Sequence, residues 1–145
     1  GSVENLHSGE YEQLSGSWSP DGKMLAYSEL HPVTQGDIWF LTFEPELSAK
    51  PFLTTEASED GAEFSPYGRW LAYCSDETGR WEVYVQPVSG AGRRVQISTA
   101  GGTQPGWARN GRELYYRQDE KMMAVRVDSG PEFVAGRPEV LFEMK

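Results

Sequence analysis

The chain has 145 residues, enough for one domain with a real core, and 24% charged with 12% aromatic residues belongs to a globular chain rather than a disordered one. A formal net charge of −9 sets it against phosphate backbones, so nucleic acid is not an expected partner, and no apolar run approaches the ~20 residues of a membrane-spanning helix. The single Cys74 can form no internal disulfide and reads as a small residue packed beside a strand. The chain opens Gly1-Ser2 without an initiator Met, which reads as a cloning remnant, with room for a targeting signal to have been cut off upstream.

Residues 1–12 read as an N-terminal tail. Within it residues 3–6 look like a spare outer strand, since Glu4-Asn5-Leu6-His7-Ser8-Gly9-Glu10 reads like Pro51-Phe52-Leu53-Thr54-Thr55-Glu56. Residues 13–54 predict a first four-stranded unit. A short strand over 16–18 leads to the turn Ser19-Pro20-Asp21-Gly22, then come a strand over 23–28, a longer loop over 29–36, a strand over 37–43 and an outer strand over 50–53. Pro51 is tolerable there because an outer strand has a free edge. Residues 55–98 repeat the plan: strands over 62–64, 69–74, 81–85 and 94–97, with Ser65-Pro66-Tyr67-Gly68 as the first turn. Residues 99–145 repeat it again, with strands over 104–107, 112–117, 121–127 and 138–142, Ala108-Arg109-Asn110-Gly111 as the turn, and a short hairpin at Gln118-Asp119-Glu120. Pro presets φ near −65° and Gly accepts the positive φ that closes such a turn, and all three turns keep the Gly. No segment has the apolar i, i+3, i+4 spacing of a helix.

The units are in phase. Trp18 to Phe64 is 46 residues and Phe64 to Trp107 is 43, a period that marks the blades of a β-propeller. The expected fold is therefore all-β: three four-stranded antiparallel blades in one chain. Trp18, Ser19, Pro20, Asp21, Gly22, Phe64, Ser65, Pro66, Gly68, Trp107 and Gly111 form the structural repeat motif. The aromatics Trp18, Tyr27, Trp39, Phe64, Tyr73, Tyr84, Trp107 and Tyr116 recur at matching points and are expected to pack between blades. Trp70 and Trp81 have weaker counterparts, and one of them is a candidate exposed partner contact.

Trp18-Ser19-Pro20-Asp21-Gly22-Lys23-Met24-Leu25-Ala26-Tyr27 closely resembles the repeat of TolB-type propellers, also described as WD-repeat-like or PD-type. The middle copy matches with Tyr67 in place of the Asp, and the third departs at Ala108-Arg109-Asn110. The resemblance runs from about Gln13 to Phe142 and implies a propeller, commonly of six blades, and an extracytoplasmic bacterial location. The segments Asp76 to Pro87 and Ile97 to Trp107 are similar to the propeller ends of bacterial membrane serine/threonine kinases, where the propeller is a non-catalytic sensing part. Prolyl oligopeptidases also carry such blades, as a gate over a separate hydrolase domain. None of this transfers a function by fold alone.

The chain offers little for catalysis. Gly16-Ser17-Trp18-Ser19-Pro20 lacks the final Gly of a nucleophile elbow, and only His7 and His31 could serve as a base in a triad. No Cys or His pair has zinc-ligand spacing, and Glu56 to Gly61 lacks the alternation of a calcium loop. No cofactor, no metal and no enzymatic activity are expected. Gly90-Ala91-Gly92-Arg93-Arg94 hints at an anion cradle, but no helix follows it, and it reads as a hairpin loop. The links between blades, with Glu10, Tyr11, Glu59, Asp60, Thr103 and Gln104, are the candidate channel-mouth loops, because binding concentrates on loops at a scaffold's mouth.

Three blades leave two large apolar faces uncovered. The expected remedy is a homodimer in which blade 1 of each chain meets blade 3 of the other, a heterologous contact that closes after two steps into a six-bladed ring. Functionally the chain reads as a binding, sensing or protein-interaction module taking a protein or small molecule at the channel mouth. The alternatives are a structural fragment with no ligand of its own and a hydrolase's gating domain.

Overall fold

The computed structural model describes residues 16–31, 35–90, 93–129 and 132–144. Ser19-Pro20-Asp21-Gly22, Ser65-Pro66-Tyr67-Gly68 and Ala108-Arg109-Asn110-Gly111 all form tight turns. Gly22, Gly68 and Gly111 take φ of 73°, 78° and 72° and donate to the carbonyls of Ser19, Ser65 and Ala108 at 2.9 Å. The hydroxyls of Ser19 and Ser65 accept the backbone N–H of Met24 and Trp70 at 3.0 Å. Asp21 and Asn110 do the same work one position further on, accepting from Lys23 at 3.0 Å and Arg112 at 2.9 Å. The motif residues thus fix hairpin geometry.

Each turn opens a meander. In chain order the strands are β1 Ser17–Trp18, β2 Met24–His31, β3 Gln35–Thr42, β4 Ser48–Leu53, β5 Glu59–Phe64, β6 Trp70–Ser75, β7 Glu82–Pro87, β8 Val95–Gln96, β9 Thr103–Trp107, β10 Glu113–Gln118, β11 Lys121–Ser129, β12 Phe133–Ala135 and β13 Glu139–Glu143. They form three antiparallel sheets, β1–β4, β5–β8 and β9–β13, and there is no helix among the described residues. In the third sheet β12 and β13 lie one after the other along the same edge of β11. They are one outer strand interrupted at Gly136, Arg137 and Pro138, where Pro has no N–H for the ladder.

Two expected boundaries move. The loop expected over 29–36 is mostly ladder: β2 and β3 pair up to His31 opposite Gln35. The inner strands begin earlier than expected, β5 at Glu59 and β9 at Thr103, each with a bulge. Gly61 (φ 70°) and Gln104 (φ 52°) occupy matching points of these irregular stretches, both in the left-handed region.

The sheets stack in chain order, with β5 against β1–β3 and β9 against β5–β7. Ala26, Ile38, Phe64, Leu71, Tyr73 and Tyr84 fill the first interface. Trp70, Ala72, Val83, Leu114, Tyr116 and Val125 are among the residues that fill the second. Of the two candidates for an exposed contact, Trp70 is buried and Trp81 is half-buried. Trp18, Tyr27 and Trp39 do not pack between sheets as expected; Trp18 is 46% exposed and stacks on Phe43 with ring centroids 5.2 Å apart, while Tyr27 and Trp39 lie on the far face of the first sheet. The far face of the first sheet is not bare either. Leu25, Tyr27 and Leu41 are at most 2% exposed and cluster with Trp39, Phe43 and Ala49. Residues 1–15, which include His7 and the proposed spare strand, lie outside the described residues.

Leu71 is fully buried at the first interface, so Leu71→Ala should cost about 2–5 kcal/mol in urea unfolding. Tyr67→Ala, at a side chain 77% exposed, should stay within about 0.5 kcal/mol of the parent.

Candidate functional site

The inner strands β5 and β9 start at one end of the sheets and reach the Ser-Pro-x-Gly turns at the other, so the molecule has two distinct ends. The starting end collects the residues expected at a channel mouth. Glu59 and Asp60 open β5, and Thr103 and Gln104 open β9, so both pairs are strand ends rather than loops. Glu10 and Tyr11 lie outside the described residues.

At this end a polar network sews the second sheet to the start of the third. Glu82 sits at the head of β7, 2% exposed. Its Oε1 accepts from Ser98 Oγ at 2.5 Å and from the Gly101 N–H at 2.9 Å, and its Oε2 accepts from Arg80 Nε at 3.0 Å. Ser98 Oγ in turn accepts the Val83 N–H at 2.7 Å, and Arg80 donates to the Thr99 carbonyl at 2.6 Å. Buried charge is tolerable here because each carboxylate oxygen has donors.

The junction of the first and second sheets is built differently. Ser28 donates to Asp60 at 3.1 Å, the Gly36 N–H to Ser58 Oγ at 3.1 Å, and the Ser58 N–H to Asp76 at 2.8 Å. Gly36 is required here: a Cβ would come within 2.9 Å of both the Glu59 carbonyl and Ser58 Oγ. Glu59 is 2% exposed, accepts from Thr55 Oγ1 at 2.6 Å through Oε1, and has no partner for the buried Oε2. Burial, reinforced by the carboxylates of Asp37 and Asp76, pushes its pKa up to about 7. Cys74 donates to the Asp60 carbonyl at 3.2 Å, and burial raises its thiol to about 12, which leaves it inert as a nucleophile. His31 ends β2, and among the described residues no group of His, Cys, Asp and Glu could hold a metal ion.

The opposite end carries the concave surface. A cleft of about 960 Å³ opens between the second and third sheets, lined by residues that include Arg69, Trp70, Val88, Arg93, Glu132 and Phe133. Its counterpart between the first and second sheets measures about 410 Å³ and is lined by Asp21, Lys23, Glu44, Phe64 and Tyr67 among others. A smaller hollow of about 230 Å³ lies under Tyr67 beside Trp107 and Gly111. The sequence directed attention to the strand-start end, whereas the larger cavity sits at the turn end. The Gly90 to Arg94 segment, read as a plain hairpin, supplies two of its arginines. The other key residue, Phe133, comes from β12, which has no sequence signal beyond four residues, Glu132 to Ala135, between Gly130-Pro131 and Gly136.

No family model matches this sequence. An uncharacterized protein of Agrobacterium fabrum, Atu1656, is 30% identical over 74 residues, 51% of this chain and 25% of its own length. A TolB-type protein of Agrobacterium tumefaciens superposes with a TM-score of 0.73 at 23% identity, over 91% of this chain and 50% of that one. An auxiliary nutrient binding protein of Bacteroides thetaiotaomicron superposes at 0.70 with 13% identity, over 97% of this chain and 34% of that one. The fold is thus that of TolB-type β-propellers, and the chain spans half or less of the length of these neighbours. Prolyl endopeptidases are among the weaker likenesses, at 0.55.

Glu59 binds protons in the folded chain up to about pH 7 but in the unfolded chain only up to its ordinary value of 4.5. The native state therefore holds the extra proton in between, and stability should fall as pH rises from about 4.5 to about 7. Glu59→Gln should flatten this dependence and stabilise the protein at pH 8 by about 1–2 kcal/mol, read from urea midpoints at pH 5 and 8.

Proposed function

We propose that the chain is a non-catalytic, protein-binding β-propeller module, and that its first protein contact is a second copy of itself. The observation that carries this reading is the outer edge of the third sheet. Val140, Leu141 and Phe142 on β13 are 51–55% exposed and Val134 on β12 is 59% exposed. On the same sheet the side chains of Leu114, Tyr116, Met123, Val125 and Val127 are buried against the second sheet.

A second copy fits this edge on three counts. The first sheet presents Trp18 and Leu47, 46% and 55% exposed, as apolar counterparts. Charge is complementary, with exposed Arg117 and Arg126 on the third sheet and exposed Glu44 and Glu46 beside the first. Length also agrees, since this chain corresponds to half of the Agrobacterium tumefaciens TolB-type chain, so two copies supply one such ring. The contact is asymmetric, blade 1 on blade 3, and closes after two steps. Because the far face of the first sheet is already buried, the join rests on its rim rather than on a bare face. A sensing role accords with the resemblance of the Asp76 to Pro87 and Ile97 to Trp107 segments to kinase-borne propellers.

Light scattering after size exclusion at micromolar concentration should give a mass near twice 16.2 kDa. Phe142→Asp should return the mass to 16.2 kDa with an unchanged far-ultraviolet spectrum. A parent protein that is monomeric under these conditions would overturn self-assembly.

A further inference from the structure

We infer that the cleft between the second and third sheets binds an organic anion with a planar apolar body. The chain as a whole is acidic, at −9, yet this cleft gathers Arg69, Arg93 and Arg94 against a single lining carboxylate, Glu132. The equivalent cleft between the first and second sheets has Lys23 set against Asp21 and Glu44. The repeat itself therefore does not require arginine at this place.

The three arginines are not equivalent. Arg94 is engaged by Glu77 at 2.6 Å and lies 4.5 Å from the ring centroid of Tyr84. Arg69 is set over the Trp70 ring, 5.5 Å from its centroid, which pre-positions its guanidinium at the apolar wall. Arg93 is exposed and makes no ion pair among the described residues. Its charge is available to a ligand without first breaking a contact. Repulsion from the rest of the acidic chain is screened beyond about 8 Å at physiological salt, so the local arginines decide what enters.

The wall behind them selects an apolar, flat ligand. Trp70, Val88, Val95 and Phe133 line it, and the Trp70 and Phe133 rings stand 5.2 Å apart at 56°. Trp70 is 8% exposed, and its Nε1–H is buried with no acceptor. A cavity of about 960 Å³ with apolar walls and a few convergent polar groups is within the ordinary range for a small-molecule site.

The test uses naphthalene-2-carboxylate as the probe on the full ¹⁵N-labelled chain, following the indole N–H signals, with Trp70→Phe assigning the Trp70 signal and the four other Trp→Phe variants assigning it by elimination. The Trp70 signal is expected to move saturably. Arg93→Gln and Arg69→Gln should each weaken the probe roughly five- to tenfold, as expected for loss of a charge-assisted hydrogen bond, while Arg93→Lys keeps most of the affinity. Neutral 2-naphthalenemethanol should bind at least about tenfold more weakly, and inorganic phosphate should fail to saturate, because the site needs both charge and body. The inference is overturned if the Trp70 signal does not saturate, if both Gln variants bind like the parent, or if the neutral analogue binds equally well.

Discussion

Every part of this fold depends on one constraint: no sheet can bury its apolar face without its neighbour. Tyr73 and Tyr84 stack on each other with centroids 5.8 Å apart on the face of the second sheet that meets the first. Trp70, Ala72 and Val83 lie on the opposite face, against Leu114 and Tyr116. The second sheet is therefore apolar on both sides, a pattern sustainable only inside a stack. The inner strands repeat the dependence in hydrogen bonds. The Phe64 N–H donates to Ser17 Oγ at 3.3 Å, and Trp107 Nε1 donates to the Glu63 carbonyl at 3.0 Å. Each inner strand has a free edge, and β5 and β9 each donate one hydrogen bond back to the preceding sheet.

The two junctions solve the same stacking problem with different chemistry. Glu82 is buried and fully satisfied, so its charge fixes the passage from the second sheet to the third. Glu59 is equally buried but has one orphaned oxygen beside two further carboxylates, so it is held by protonation rather than by pairing. A repeated scaffold therefore does not impose repeated energetics: burial and neighbouring carboxylates push Glu59 up to about 7 at the first junction, while Glu82 at the second has a donor on each carboxylate oxygen.

The fold was legible because its signals are local. A Pro-x-Gly turn, an alternating strand and an aromatic at a fixed distance each need fewer than ten residues to be recognised, and three copies in phase reinforce one another. The errors are also local in origin. Pro32 and Gly36 read as loop, yet β2 and β3 run to His31 and Gln35. Glu59 and Asp60 read as a loop between blades, yet they open an inner strand in which Glu59 is buried and Asp60 stays exposed. The cleft could not be read at all. Arg69, Arg93 and Phe133 lie on three different hairpins, and only the packing of one sheet on another brings them together.

The end of the stack shows how such a scaffold limits its own association. The outer strand Glu139-Val140-Leu141-Phe142-Glu143 is apolar at its centre and carries a carboxylate at each end, and it pairs Glu143 with Lys121 inside the sheet. An edge with exposed Val, Leu and Phe invites strand-to-strand addition by any other chain. Two flanking glutamates oppose that addition, since an identical antiparallel strand would bring like charges together at both ends. Arg117 and Arg126 are exposed on the same sheet.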